Sequence, residues 1–191
     1  NLVRESFWNV YRPGCTEHFV LKYLRNDADF VPQLDFVMEK NGQIIGQIIF
    51  VKAAIAKNGG GVLPVLTFGP ICIEKSYQKK GYGKILLDYA LDKATEMGFG
   101  AVFIEGNINF YRHCGLTYAK EYGISYHGLP DGADDSFFLA KELINGYLNG
   151  ISGVYSTPKG YFAAEENPQE FERYESRFPI KEKLKLPGQL E

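Results

Sequence analysis

An α/β fold is what the sequence predicts, and three observations carry it. Val65-Leu66-Thr67-Phe68-Gly69-Pro70-Ile71-Cys72-Ile73 is a β-branched and aromatic run of strand type. Leu87, Ala90, Leu91 and Ala94 then recur at i, i+3, i+4 and i+7, with Met97 one turn on and Gly98 as a C-terminal stop. Ala101-Val102-Phe103-Ile104 is a second strand of buried type. Strand, helix and strand joined by short connections imply a parallel, right-handed crossover.

The chain has 191 residues, enough for one domain with a core or a domain with an appendage. Apolar residues at 45% and aromatics at 15% argue for a folded globule. A formal charge of −2 gives no pull toward nucleic acid. No apolar run approaches the ~18 residues of a membrane helix, and nothing at the start reads as a signal peptide. Cys15, Cys72 and Cys114 are odd in number and lack metal-ligand spacing, as do the three scattered histidines. Reduced thiols, a cytoplasmic setting and no metal site are the expectation.

From the start of the chain, Val3, Phe7, Val10 and Tyr11 show helical spacing, and Thr16 is placed to cap a second helix carrying Phe19, Val20, Tyr23 and Leu24. Asp35-Phe36-Val37-Met38-Glu39 and Gln43-Ile44-Ile45 flank Lys40-Asn41-Gly42, and Asn-Gly is the strongest short hairpin signal. Asn58-Gly59-Gly60-Gly61 reads as a mobile connection into the central strand. Within that strand, Gly69 permits a bulge and Pro70 removes a ladder donor, so regular pairing should fail there. Ser136-Phe137-Phe138-Leu139-Ala140 reads as a further strand. Residues 146–191, rich in Tyr, Gly, Pro and charge, read as a C-terminal extension wrapping the domain, with one helical segment near residues 169–176.

Between the central strand and its helix stands Gln78-Lys79-Lys80-Gly81-Tyr82-Gly83-Lys84. Two glycines let the backbone turn tightly, so that the unpaired N–H groups of the helix start can face an anion such as a diphosphate. Two familiar phosphate motifs fail on spacing. A Walker A loop needs Gly where Gln78 stands and Ser or Thr where Ile85 stands, and a dinucleotide fingerprint from Gly81 needs Gly or Ala where Leu86 stands.

In these features the chain resembles the GNAT superfamily of N-acetyltransferases. Gln78, Gly81 and Gly83 match the family's Gln/Arg-x-x-Gly-x-Gly/Ala signature, and Tyr111-Arg112-His113-Cys114-Gly115-Leu116 matches its downstream Tyr mark except for Leu in place of Phe. The resemblance is specific over residues 63–116 and looser over 35–142. It implies a mixed, mostly antiparallel sheet whose central parallel strands splay around the cofactor, with helices on both faces, filling residues 1–145. The family's opening strand is missing from this sequence, which suggests a truncated start.

The resemblance also implies the chemistry. Acetyl-CoA would lie with its diphosphate on Gln78, Lys79, Lys80, Gly81, Tyr82, Gly83 and Lys84, and its pantetheine arm along the backbone of Ile71, Cys72 and Ile73, with Asn107 as a further contact. A backbone N–H near Cys72 or Ile73 would polarise the thioester, and Tyr111 would act as the acid facing the sulfur. Glu74 and Glu105, at the ends of the two strands, are the candidates for the base. Only three residues separate Asn107 from Tyr111, so the intervening helix should be short or missing. The acceptor would be a small-molecule or peptide amine. Oligomeric state stays open, a homodimer included, and so does a non-catalytic role as an acyl-CoA sensor.

Overall fold

The chain opens in two short helices, α1 (Leu2–Phe7) and α2 (Glu17–Leu24), in a computed structural model describing residues 1–130 and 132–189. The helical spacing through Val10 and Tyr11 does not extend α1 that far. Asn9 takes a φ of 60° and Gly14 one of 79°, and the chain doubles back through Asn9 N–H donating to Gly14 O at 2.8 Å.

β1 (Phe36–Lys40) and β2 (Gln43–Lys57) form the expected hairpin, with Asn41 and Gly42 at φ values of 52° and 75°. Two positive φ values make the turn whose twist suits the flanking strands. β2 runs well past Ile45 because residues 45–51 are buried without interruption, as befits a strand covered on both faces. The connection at residues 58–61 is a closed turn and not a mobile loop: Lys57 N–H donates to Gly61 O at 3.0 Å and Gly60 N–H to Lys57 O at 2.9 Å. β3 (Val62–Ile73) therefore returns directly against β2.

α3 (Tyr82–Glu96) crosses to β4 (Ala101–Glu105), which is parallel to β3. The helix buries Leu86, Leu87, Ala90, Leu91 and Ala94. Met97 lies past its end, exposed. α4 (Ile108–Tyr111) is a single turn continued by a 3-10 turn at Arg112–Cys114, in keeping with the short spacing from Asn107. β5 (Thr117–Tyr118), β6 (Ile124–Tyr126), β7 (Phe138–Glu142), β8 (Gly153–Tyr155), α5 (Ala163–Glu166) and α6 (Pro168–Glu175) complete the chain.

The strands join in one sheet of order β5-β7-β4-β3-β2-β8-β6, with β1 also pairing β2. β7, the further strand expected around residues 136–140, is interior, between β5 and β4. The C-terminal segment reaches the sheet through β8, which pairs antiparallel with β2 and parallel with β6. Gly153 makes that approach feasible, since a Cβ there would stand 2.3 Å from Ala56 O. The largest core lies between α3 and one sheet face, while α1 and α2 cover part of the other.

α6 is clasped to the start of the chain by Arg4. This guanidinium is only 1% exposed, donates to Glu175 Oε1 from Nε at 3.0 Å and from a terminal nitrogen at 2.5 Å, and lies 4.1 Å from the centre of the Trp8 ring. His18 Nε2 stands 2.8 Å from the other Glu175 oxygen. Trp8 Nε1–H and the Asn9 amide both donate to Glu182 O, extending the clasp along the tail.

Candidate active site

β3 and β4 touch at one register point, Leu66 opposite Val102, and then part. Beyond it each keeps its outer partner, β3 pairing β2 as far as Ile73 opposite Gly46, and β4 pairing β7 as far as Glu105 opposite Phe138. The bulge expected at Gly69-Pro70 is present: from Ile48 to Phe50 on β2 the partners step from Ile71 to Phe68, one residue more on β3.

The alternation of an antiparallel ladder decides which peptide groups of β3 face the gap. Glu74 N–H donates to Ile45 O at 2.7 Å, so Cys72 pairs by hydrogen bonds with Gln47, while the peptide groups of Ile71 and Ile73 turn away from β2. This corrects the expectation for Cys72, whose backbone is spent on β2. Its side chain is buried against α1 and α2, and burial pushes the thiol up to about 11. The Ile73 carbonyl is also occupied, by Gln78 Nε2–H at 2.9 Å and Ser6 Oγ–H at 3.4 Å. Gln78 thereby ties the strand end to the glycine turn.

In that turn Lys79 and Gly81 have φ values of 58° and 85°. The first helical bond of α3 runs from Ile85 N–H to Gly81 O, and among the described residues none of the N–H groups of residues 79–84 meets a backbone acceptor. These N–H groups and the helix dipole favour an anion. Gly83 packs tightly, a Cβ there falling 3.2 Å from the Phe110 ring. The cations are partly engaged: Lys80 Nζ donates to Ser76 O at 2.7 Å, and Lys84 pairs with Asp88, which raises its pKa. Lys40 Nζ meets the Tyr82 hydroxyl.

Asn107 caps α4, its Oδ1 accepting Asn109 N–H at 2.9 Å. Tyr111 closes that turn, its ring 5.8 Å from that of Phe68 and over Gly106, where a Cβ would fall 2.4 Å from Tyr111 Cε2. Burial, then Tyr11 and Cys114, hold its phenol well above the ordinary value. It is an acid kept protonated beside the gap between β3 and β4.

The two carboxylates differ. Glu74 caps the turn Lys75–Tyr77, accepting from Ser76 N–H at 3.1 Å and from the Ser76 hydroxyl, which holds it below the ordinary carboxylate value. Such a group is a poor proton acceptor, and the local structure already uses it. Glu105 ends β4 and accepts from Tyr126 Oη–H at 2.9 Å and from the Thr157 hydroxyl, the two hydroxyls being 2.7 Å apart. Burial pushes Tyr126 up to about 12. Tyr126, Thr157 and Tyr161 were not singled out from the sequence. The one signal near them is Thr67, a buried hydroxyl within an apolar strand.

The sequence matches the acetyltransferase (GNAT) family over residues 3–116, more than half of the chain. It is 24% identical over 116 residues to the uncharacterized N-acetyltransferase YhbS of Escherichia coli, covering 61% of this chain and 66% of that protein, just under two thirds of its length. The fold matches the crystal structure of Escherichia coli YhbS in complex with CoA at a TM-score of 0.70, with 23% identity over 84% of this chain and 82% of that one. A GNAT family acetyltransferase from Brucella melitensis, solved in complex with acetyl-CoA, matches at 0.64, with 18% identity over 84% and 87% of the two chains. On the family match, with its glycine turn and parted parallel strands, this chain belongs to the acetyltransferase (GNAT) family.

Proposed function

We propose that the protein transfers an acetyl group from acetyl-CoA to a primary amine of a small molecule or peptide, with both substrates bound together. One observation supports this most: the turn with unpaired N–H groups at residues 79–84 adjoins Ile73, whose peptide group turns away from β2 as that of Ile71 does, and Phe110, on which Tyr111 packs beside Phe68. Acetyl-CoA brings the activated acyl group as a thioester. The glycine turn would hold its diphosphate, and the free edge of β3 would hold the extended arm as an added strand would. An outward N–H of β3 would polarise the carbonyl, Glu105 would take the proton of the attacking amine directly or through water, and Tyr111 would return one to the departing sulfur. Cys15, Cys72 and Cys114 are free and buried, which suits a reducing compartment, and we assign the reaction to the cytoplasm on that ground.

The test is a thermal-shift titration with acetyl-CoA, CoA, ATP and NAD, followed by thiol release with a panel of amines. Only the CoA compounds should stabilise the fold, by about 2.7 kcal/mol at a hundred times Kd. Binding without thiol release from any amine would favour an acyl-CoA sensor, and no shift with CoA would remove both readings.

Gly81→Asp probes the turn. Space is no obstacle, since nothing lies within 4 Å of a Cβ there, but φ is 85°. The left-handed conformation costs roughly 1–2 kcal/mol for a residue with a Cβ, and the new carboxylate opposes a diphosphate. CoA affinity by calorimetry should fall at least about tenfold, the equivalent of 1.4 kcal/mol, in a protein that still folds. Unchanged affinity would show that the diphosphate binds elsewhere.

A further inference from the structure

A buried hydroxyl without a partner is uncommon, because the hydrogen bonds it gave up to water are not replaced. Tyr161 has one: its Oη is buried and, among the described residues, has no partner at full hydrogen-bond geometry, the Thr67 hydroxyl making only a weaker contact. The ring packs against the cluster of α1 and α2 that includes Leu24 and Ile49. Its edge rests on Gly69 at the bulge, where a Cβ would stand 3.6 Å from Cε1 and 3.9 Å from Oη. Thr67 of β3, Glu105 of β4 and Tyr111 all bear on this phenol. The hydroxyl therefore sits at Gly69, where β3 bulges beyond its one pairing with β4, and Tyr111 packs on the neighbouring Phe68. Burial holds the phenol far above its ordinary value, so it keeps its proton and is available as a donor.

We propose that Tyr161 is a catalytic residue whose hydroxyl donates a hydrogen bond to the thioester carbonyl oxygen, where negative charge builds as the amine attacks. This rests on the acyl-transfer reading above. The C–N bond forms and the C–S bond breaks, the proton of the amine goes to Glu105, and that of Tyr111 goes to sulfur. Tyr161 keeps its own proton throughout. A donor already fixed by packing and shielded from water stabilises such charge without reorganising. Gly69 matters here because its φ of 143° suits glycine and its bare face lets the phenol edge rest against the strand.

Tyr161→Phe removes only the oxygen. Since that oxygen has no more than a weak contact with Thr67 in the fold, Tm should change little. The Kd of CoA, which lacks the acyl carbonyl, should not change. In thiol-release assays beside the wild type, kcat should drop roughly 10²–10³-fold, the loss seen for one oxyanion donor. Wild-type kcat in the variant overturns the role of Tyr161 and leaves acetyl transfer standing. A fall in Tm that accounts for the lost rate makes the residue structural and also overturns it. If the wild type binds CoA but turns over no amine, the acyl-transfer reading fails and takes this role with it.

Discussion

Replacing Tyr111 with phenylalanine is expected to lower kcat by roughly 10²–10⁴-fold, the usual contribution of a positioned general acid. CoA should bind as before, because the ring that packs on Phe68 and Gly106 is kept. A distinguishing readout is the leaving group. An acyl donor whose thiol departs readily as the anion needs no acid, so with such a donor the variant should recover most of the wild-type rate. The pH profile should agree: with Tyr111 held above its ordinary value, the wild-type rate should not fall on the alkaline side while amines are losing their protons. Equal rates in the two proteins with acetyl-CoA would assign the proton to another group or to water.

The largest effect on stability is expected at Arg4. Arg4→Met leaves the half-buried Glu175 beside His18 without its main partner, and losing one member of a buried pair typically costs about 3–5 kcal/mol. At roughly 2–4 °C per kcal/mol for a chain of this size, Tm should fall by about 6–20 °C. Replacing Glu175 with leucine as well should restore most of the loss, since an apolar pair of similar volume often matches a buried ion pair. If the double variant is as unstable as the single one, the clasp acts through packing on Trp8 and Phe178 and not through charge. The clasp also carries a pH dependence. Burial lowers the His18 pKa from 6.5, so below that pH the unfolded chain takes up a proton that the folded chain resists. Stability should therefore decline as pH falls below about 6.5, in the direction linkage requires.

The crossover was legible because α3 repeats its apolar residues at a period no strand shares, and because β3 and the short β4 are apolar runs on either side of it. The β1–β2 hairpin was legible from Asn41-Gly42 alone, a dipeptide that accepts two positive φ values. β5, β6 and β8 were not, as two or three residues cannot display a period. Nor could the sequence show that Gly153 seats its strand against β2, which depends on a contact with Ala56.

The glycine turn and Tyr111 were visible because their chemistry lies in short local patterns. Glu74 and Glu105 were not distinguishable, since each is an acid at the end of an apolar strand. What separates them is the neighbour, a serine two residues on for Glu74 and hydroxyls from distant strands and loops for Glu105. Cys72 was misassigned for a similar reason. Whether a residue of β3 faces β2 or the gap depends on the ladder register, which a bulge shifts. Tyr161 was out of reach altogether, since nothing in the tail announces that it returns to Gly69.

The bond between Arg4 and Glu175 joins residues 171 apart in the chain. On a ribosome, α1 and α2 emerge before the tail and cannot be fastened until it has followed them out. At about 5–20 residues per second, that interval lasts roughly 10–30 s. During it the apolar ring of Phe19 lacks the cover of Phe171 and Tyr174. A released chain truncated before Glu175 should consequently be a better chaperone client and protease substrate than the full chain.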